Sequence, residues 1–287
     1  MTLKQLFCRA SNILNSNNIA DATLECELLL RHTLKKSRDQ IYLDFDYELM
    51  PHEKEVFWQL FERRLNGEPI AYITGHREFY GLDFYVNPNV LIPRPESELL
   101  VEKTLALSPK YNTPIIADIG TGCGAIAISL ALSLPEAKIY ATDISAPALL
   151  EVALLNCQRY SVTNRICLLQ GDMLNPLPEP VDLIVANLPY VKFSELSTIN
   201  PALFEPILAL DGGPDGLDKI RRLCGQAKNK LNPDGHLLLE IGQGQEKAII
   251  PFLHRLFPLA EIEIIPDLSG IDRIITLKLP PNTIHQT

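Results

Sequence analysis

Residues 114–124, PIIADIGTGCG, decide how this chain folds. Four apolar positions lead into Asp118, and Ile119 then leads into three glycines spaced two apart. That is the pattern of a buried strand running into a tight turn and a helix start. From this point onward strands and helices alternate. The periodicity predicts strands over 114–120, 138–143, 165–170, 181–187, 235–241, 261–266 and 273–279. Helices fit between them, notably over 124–134, 146–159 and 216–231. Such alternation predicts an α/β architecture with a doubly wound, mostly parallel sheet. The last two strands have no helix-length gap, so an antiparallel hairpin at the sheet edge is expected.

Before residue 66 the periodicity is that of helices. Leu3, Leu6, Phe7, Ala10, Ile13 and Leu14 share one helical face. Asp21 stands where a second helix would be capped. Pro51 stands in the first turn of another, followed by Val56, Phe57, Leu60, Phe61 and Leu65 on one face and by Gly67 past its end. A small helical bundle results, suited to capping, to oligomerisation or to substrate recognition. Residues 67–98 then change character. Aromatic and β-branched residues alternate around Gly81, which predicts a hairpin, and Pro88, Pro93 and Pro95 mark an extended connector.

Composition narrows the class. The chain is 46% hydrophobic and 21% charged, enough to bury a sizeable core in one large or two modest domains. Acidic residues exceed basic ones in both halves, for a net charge of −9, so no footprint for a phosphate backbone is expected. The six cysteines show no C-x-x-C pair, and the histidines no ligand spacing, so neither a metal site nor a disulfide framework is expected. The first residues, MTLKQLFCRASNILN, carry an apolar stripe rather than the continuous apolar core of a signal peptide, and no apolar run is long enough for a membrane helix. A cytoplasmic protein is expected.

The glycine loop is a ligand site in waiting. Gly120, Gly122 and Gly124 let a ligand approach the backbone, and the helix start beyond offers unpaired N–H groups. Asp143, at the end of the next strand, suits a bidentate hold on ribose hydroxyls. Gly120, Gly122 and Ala125 also satisfy the dinucleotide pattern G-x-G-x-x-A, so the loop alone leaves a nicotinamide cofactor open. Asp118 argues against it, because a carboxylate there would repel a pyrophosphate; the same group can sit near the cationic amino-acid end of S-adenosylmethionine, directly or through water. Asp172, after Gly171 at the third strand end, can accept from an adenine amine or simply close a turn.

The fourth strand ends in Asn187-Leu188-Pro189-Tyr190, an amide, an extended backbone and an aromatic ring at the edge where open α/β sheets bind ligands. This tetrapeptide resembles the (Asp/Asn/Ser)-Pro-Pro-(Tyr/Phe/Trp) signature of methyltransferases acting on the adenine amine or on glutamine side chains. The resemblance implies that the Asn oxygen and the next backbone carbonyl accept the two hydrogens of the target NH2 while the ring packs on its flat face. Leu188 departs from the signature where the first proline stands; its role there belongs to a backbone carbonyl. Asn-Leu-Pro-Tyr is also the form seen in ribosomal RNA adenine dimethyltransferases.

The rest of the chain carries a second, more specific resemblance. Gly67–Gly75 (GEPIAYITG), Phe79-Tyr80-Gly81, Leu91–Glu96 (LIPRPE), Phe204-Glu205-Pro206, Ala209–Leu217 (ALDGGPDGL), Glu240-Ile241-Gly242 and Asp267–Arg273 (DLSGIDR) resemble, in order, the peptide chain release factor glutamine methyltransferases. The resemblance implies a helical substrate-recognition domain over 1–75, a hairpin and extended linker over 76–100, and over 101–287 a class I, Rossmann-like methyltransferase domain with a seven-stranded sheet. It implies S-adenosylmethionine as cofactor and the glutamine of the Gly-Gly-Gln loop of class 1 release factors as acceptor. A ribosomal-protein glutamine or an RNA or DNA adenine are the alternatives. Carried over by residue, Asp118, Gly120, Thr121, Gly122, Cys123, Gly124, Asp143, Asp172, Met173 and Asn187 are expected at the cofactor. Asn187, Pro189 and Tyr190, with the Leu188 carbonyl, are expected to hold the glutamine and carry catalysis. Arg94, Glu96 and Glu205 are expected on the acceptor side, though Arg94 and Glu96 suit pinning the linker equally, Glu205 a surface position and Glu240 a bond to loop amides. No metal, nucleic acid or membrane is expected to take part, and the chain is expected to be a monomer.

Overall fold

A computed structural model describes residues 1–198 and 204–281. The chain divides into two compact units, Met1–His76 and Arg77–Thr287.

The first unit is helical: α1 (Leu3–Ser16), α2 (Ala22–Leu34), α3 (Arg38–Leu43), α4 (Pro51–Leu65) and α5 (Ile70–Thr74). Thr2 starts α1 with a capping box, its hydroxyl accepting from the Gln5 amide while the Gln5 side chain accepts from the Thr2 amide. Leu3, Leu6, Ala10 and Leu14 are fully buried along the expected face and meet Leu29, Leu30, Phe57 and Phe61 in one core. Each such leucine contributes about 2 kcal/mol by leaving water. Two expectations need correcting. Asp21 occupies the cap position of α2 but in the left-handed region, with φ 54° and no side-chain bond to the helix. On α4 the buried positions are Phe57 and Phe61, whereas Val56 and Leu65 face solvent.

The hairpin forms as β1 (His76–Phe79) and β2 (Leu82–Tyr85). Tyr80 and Gly81, both at positive φ, make the two-residue turn that matches strand twist. The segment expected as a linker is bonded into the second unit rather than strung beside it. Asn156, fully buried, accepts from the Tyr85 amide and donates to the Tyr85 and Cys123 carbonyls, so the connector and the glycine loop share one anchor.

Beyond α6 (Glu98–Leu107) lie β3 (Ile115–Ile119), α7 (Ala125–Ser133), β4 (Lys138–Asp143), a π-helical turn (Ala148–Ala153) leading into α8 (Leu154–Arg159), β5 (Ile166–Gln170), β6 (Val181–Ala186), α9 (Asp218–Ala227), β7 (Leu231–Glu240), α10 (Glu246–Leu256), β8 (Glu261–Pro266) and β9 (Asp272–Lys278). The seven-stranded sheet runs β5-β4-β3-β6-β7-β9-β8. All neighbours from β5 to β7 are parallel; β9 is antiparallel to β7 and β8, so the terminal hairpin closes one edge with β9 on the inside. The order reverses between β4 and β6 around β3, which opens the crevice at the carboxyl ends of those strands.

Candidate active site

The glycine loop follows β3 directly. Gly120, Gly122 and Gly124 all have positive φ, and the Gly120 and Thr121 amides donate to the Thr142 carbonyl, each at 2.9 Å. A side chain at Gly120 would meet Leu188 Cδ2 at 3.2 Å, so the loop lies against the end of β6. A cavity opens here. Gly120, Gly122, Asp143, Asp172 and Met173 line one part of it, and Asn187, Leu188 and Pro189 another.

Asp143 accepts from the Gly122 amide through Oδ2 and from the Ser145 amide through Oδ1, both at 2.9 Å. These bonds aim the carboxylate and leave each oxygen a further lone pair, which suits a pair of vicinal hydroxyls. Asp172 is held by Arg222 at 2.6 Å and by Gln226 and Asn175 at 3.1 Å, all on Oδ2. Met173, at φ 52°, packs on the core and turns apolar surface to the cavity, suited to a flat base. Apolar walls beside a poised carboxylate fit an adenosine group.

Four expected cofactor residues stand behind the wall instead. Asp118 is 1% exposed, and its Oδ2 accepts from the Thr121 hydroxyl at 2.6 Å and the Ala127 amide at 3.2 Å. Burial pushes its carboxyl up to about 6. It therefore braces the loop and the start of α7 from beneath. Thr121 is its donor, Gly124 caps α7, and Cys123 is buried with its thiol pushed up to about 12.

The acceptor segment is held from two sides. The backbone past Tyr190 pairs with the turn at 210–213: Val191 donates to the Leu210 carbonyl and accepts from the Gly212 amide. Gln245 accepts from the Gly242 amide and donates to the Tyr190 carbonyl at 2.9 Å. The side chains join a buried relay. Asn187 Nδ2 donates to Ser97 Oγ at 2.8 Å, Ser97 Oγ donates to Glu240 Oε2 at 2.5 Å, and the Tyr190 hydroxyl donates to Glu240 Oε1 at 3.1 Å. Glu240, 1% exposed, thus bonds two hydroxyls rather than loop amides. Burial raises its carboxyl above the ordinary value, while the two hydroxyls and Arg273 act against that shift. Burial and the Glu240 charge drive the Tyr190 phenol well above its usual range, so it remains a donor.

Arg94 and Glu205 find each other. Glu205, 3% exposed rather than on the surface, accepts from the Ile92 amide at 2.9 Å through one oxygen and from the Arg94 guanidinium through the other. Both oxygens are spent inside the fold, and the pair ties the 204–211 segment to the connector. Glu96 is exposed in the turn Pro95–Ser97. Residue patterns gave no reason to single out Ser97, Asn156, Arg222 or Gln226. Ser97 directly follows the Arg94–Glu96 run, a signal for the neighbourhood but not for the role.

The sheet order, the glycine loop with its acid on the next strand, and Asn187–Tyr190 at the switch point define an S-adenosylmethionine-dependent methyltransferase. Two family models match, the PrmC N-terminal domain over residues 5–75 and the methyltransferase small domain over residues 95–207. A release factor glutamine methyltransferase of Moorella thermoacetica is 42% identical over 275 residues, covering 95% of this chain and 97% of that one. Another from Koribacter versatilis is 38% identical over 286 residues, 98% of this chain and 99% of its own. Among solved structures, a methyltransferase from Pyrococcus furiosus shares the fold with a TM-score of 0.53 at 21% identity, over 76% of this chain and 97% of that chain. The chain belongs to the release factor glutamine methyltransferase family.

Proposed function

We propose that this chain transfers a methyl group to the side-chain amide nitrogen of the glutamine in the Gly-Gly-Gln loop of class 1 peptide chain release factors. The observation that carries the reading is the orientation of Asn187. Ser97 must give its single proton to the Glu240 carboxylate, so it can only accept from Asn187, which turns Asn187 Nδ2 inward and its Oδ1 the other way. An amide oxygen next to the Leu188 backbone then offers two acceptors to one NH2 group. Near-full-length relatives named as release factor glutamine methyltransferases support the choice of acceptor.

The chemistry follows from what a planar amide lacks. Its nitrogen lone pair is delocalised, so it is a poor nucleophile. Asn187 Oδ1 and the Leu188 carbonyl, by accepting both N–H bonds, favour the pyramidal nitrogen of the transition state. Pro189 and the Tyr190 ring confine the flat face of the amide and aim the lone pair. S-adenosylmethionine, when bound, supplies an electrophilic methyl on a sulfonium. The cofactor would supply the methyl group and keep the bonding electron pair as a neutral thioether, and the amide nitrogen, held by Asn187 and Leu188, would give up one proton to water in exchange. Asp143 would orient the ribose hydroxyls, Asp172 and Met173 would border the base, and Gly120 and Gly122 would let the backbone close on the cofactor. Positioning supplies most of the rate.

The helical unit Met1–His76 serves acceptor recognition, and the protein acts as a monomer in the cytoplasm on protein rather than on nucleic acid. The net charge of −9 supports a protein acceptor. Among the described residues no helix is long and apolar enough to cross a membrane. Incubating the chain with tritiated S-adenosylmethionine and, side by side, a release factor, ribosomal proteins and ribosomal RNA tests the reading. Label on the release factor, lost when its loop glutamine is replaced, is the expected result. Label on RNA or on ribosomal proteins alone overturns it.

A further inference from the structure

The carboxylate that ends β7 touches neither acceptor proposed to hold the NH2, yet it is bonded directly to the Tyr190 hydroxyl and, through Ser97, to the Asn187 amide. Glu240 is 1% exposed and lies at the carboxyl end of a central strand, an unfavourable place for a charge unless each oxygen is used. Each is: Oε2 takes the Ser97 hydroxyl at 2.5 Å and Oε1 the Tyr190 hydroxyl at 3.1 Å. Ser97, 3% exposed at the start of α6, then has only a lone pair to offer, and Asn187 fills it at 2.8 Å.

The direction of these bonds matters more than their number. An isolated asparagine amide can turn over at small cost, exchanging Oδ1 for Nδ2. With Nδ2 presented outward, Asn187 would offer donors to an NH2 group that itself only donates, and the acceptor would be repelled. A carboxylate accepts and never donates. Glu240 therefore forces Ser97 to donate, which forces Ser97 to accept from Asn187, which leaves Oδ1 for the acceptor.

We propose that Glu240 and Ser97 are positioning residues that set the amide orientation of Asn187 and the tilt of the Tyr190 ring, making the acceptor site selective for groups that donate two hydrogens. This rests on the reading of Asn187 as an NH2-holding residue, and it holds for any planar NH2 acceptor, glutamine or adenine. Glutamine at position 240 keeps the shape but has one acceptor oxygen and one donor nitrogen, so it cannot receive both hydroxyls. Alanine at position 97 removes the relay atom and leaves the carboxylate intact.

The test measures kcat, acceptor KM, cofactor Kd and thermal midpoint for Glu240→Gln, Ser97→Ala and Ser97→Thr, on whichever acceptor the wild-type chain labels. Glu240→Gln and Ser97→Ala are expected to lower kcat by about 10- to 100-fold, as for other lost partners that orient a reacting group, with cofactor Kd and thermal midpoint near wild type. Ser97→Thr, which keeps the hydroxyl, is expected to restore most of the turnover. The 15N-labelled chain adds a readout free of turnover: the side-chain NH2 resonances of Asn187, assigned by their loss in Asn187→Asp, shift in Ser97→Ala. Unchanged kcat in both variants, or a loss that follows cofactor Kd and thermal midpoint, overturns the proposal. Wild-type label on RNA instead of a release factor would overturn the substrate and leave the relay standing.

Discussion

Asn187 and Asp118 show how much of a residue's role depends on its partners. Both lie at strand ends on the binding edge, and both are polar where the sheet opens. Asn187 lines the cavity with its amide fixed by Ser97. Replacing it with alanine is expected to lower turnover by about 100-fold or more while leaving cofactor binding measurable by calorimetry. Turnover within a few-fold of wild type would place the acceptor elsewhere. Asp118, expected near the ammonium of the cofactor, is turned under the loop by Thr121 and Ala127, a contact across nine positions that the strand pattern does not display. Its carboxyl lies at about 6 in the fold against an ordinary 3.8. A raised acid binds more protons folded than unfolded between those values. Its stabilising contribution is therefore full below about pH 4 and is lost as pH rises through about 6. In Asp118→Asn the amide oxygen can take the place of Oδ2 and keep both bonds, but the titration disappears. The stability of Asp118→Asn relative to wild type is expected to improve by on the order of 2 kcal/mol between about pH 4 and pH 7, read from denaturant midpoints. A pH-independent difference would show that Asp118 titrates normally.

At the scale of elements, the parallel strands were legible because each is a short apolar run ended by a glycine, an acid or, for β6, Asn187, and their ends fall within a residue or two of the expected ones. The exceptions have local causes. β7 begins at Leu231, four residues before the expected start, because it rejoins β6 across an irregularity between Val181 and Leu183. The helix expected over 216–231 begins at Asp218, since Gly216 is at φ 79° in the turn that supports Tyr190. That turn explains why Asp211–Leu217 has so many glycines. A side chain at Gly216 would come within 2.3 Å of the Tyr190 carbonyl and 2.5 Å of Gln245 Nε2. Gly216→Ala is therefore expected to displace the acceptor segment and lower kcat by about 10-fold or more at little cost in cofactor Kd. Equal losses in both would mean that the whole crevice moves. The latch between Arg94 and Glu205 belongs to this scale too. It fastens the 204–211 segment, whose Pro206, Leu208 and Ala209 line the cavity. Glu205→Ala strands the Ile92 amide and one guanidinium, so a loss of about 2–3 kcal/mol in stability and weaker cofactor binding are expected, from melting and calorimetry. An unchanged midpoint would reduce the latch to a surface pair.

For the whole molecule, the fold class could be read early because alternation of strand and helix is a local signal repeated many times. The relay could not. Ser97 and Glu240 are separated by 143 positions, and only the closing of the sheet brings them together. Likewise the acid at Glu205 reaches Arg94 over 111 positions, which is why a bond within the fold was open to being read as a surface charge or an acceptor contact. What single residues did announce was chemistry: a glycine loop, an acid at the next strand end, and Asn187-Leu188-Pro189 at the switch point all line one cavity, while the Tyr190 hydroxyl is bonded to Glu240. The choice of acceptor is a property of the whole chain, since any planar NH2 satisfies the site itself.

The most direct test of that choice is fragmentation mass spectrometry of a class 1 release factor after incubation with the purified chain and S-adenosylmethionine. The expected result is the mass of one methyl group on the loop glutamine, located on its side-chain nitrogen and absent with Asn187→Ala. A methyl group on any other residue of the factor, or none on the factor while RNA is labelled, would contradict it.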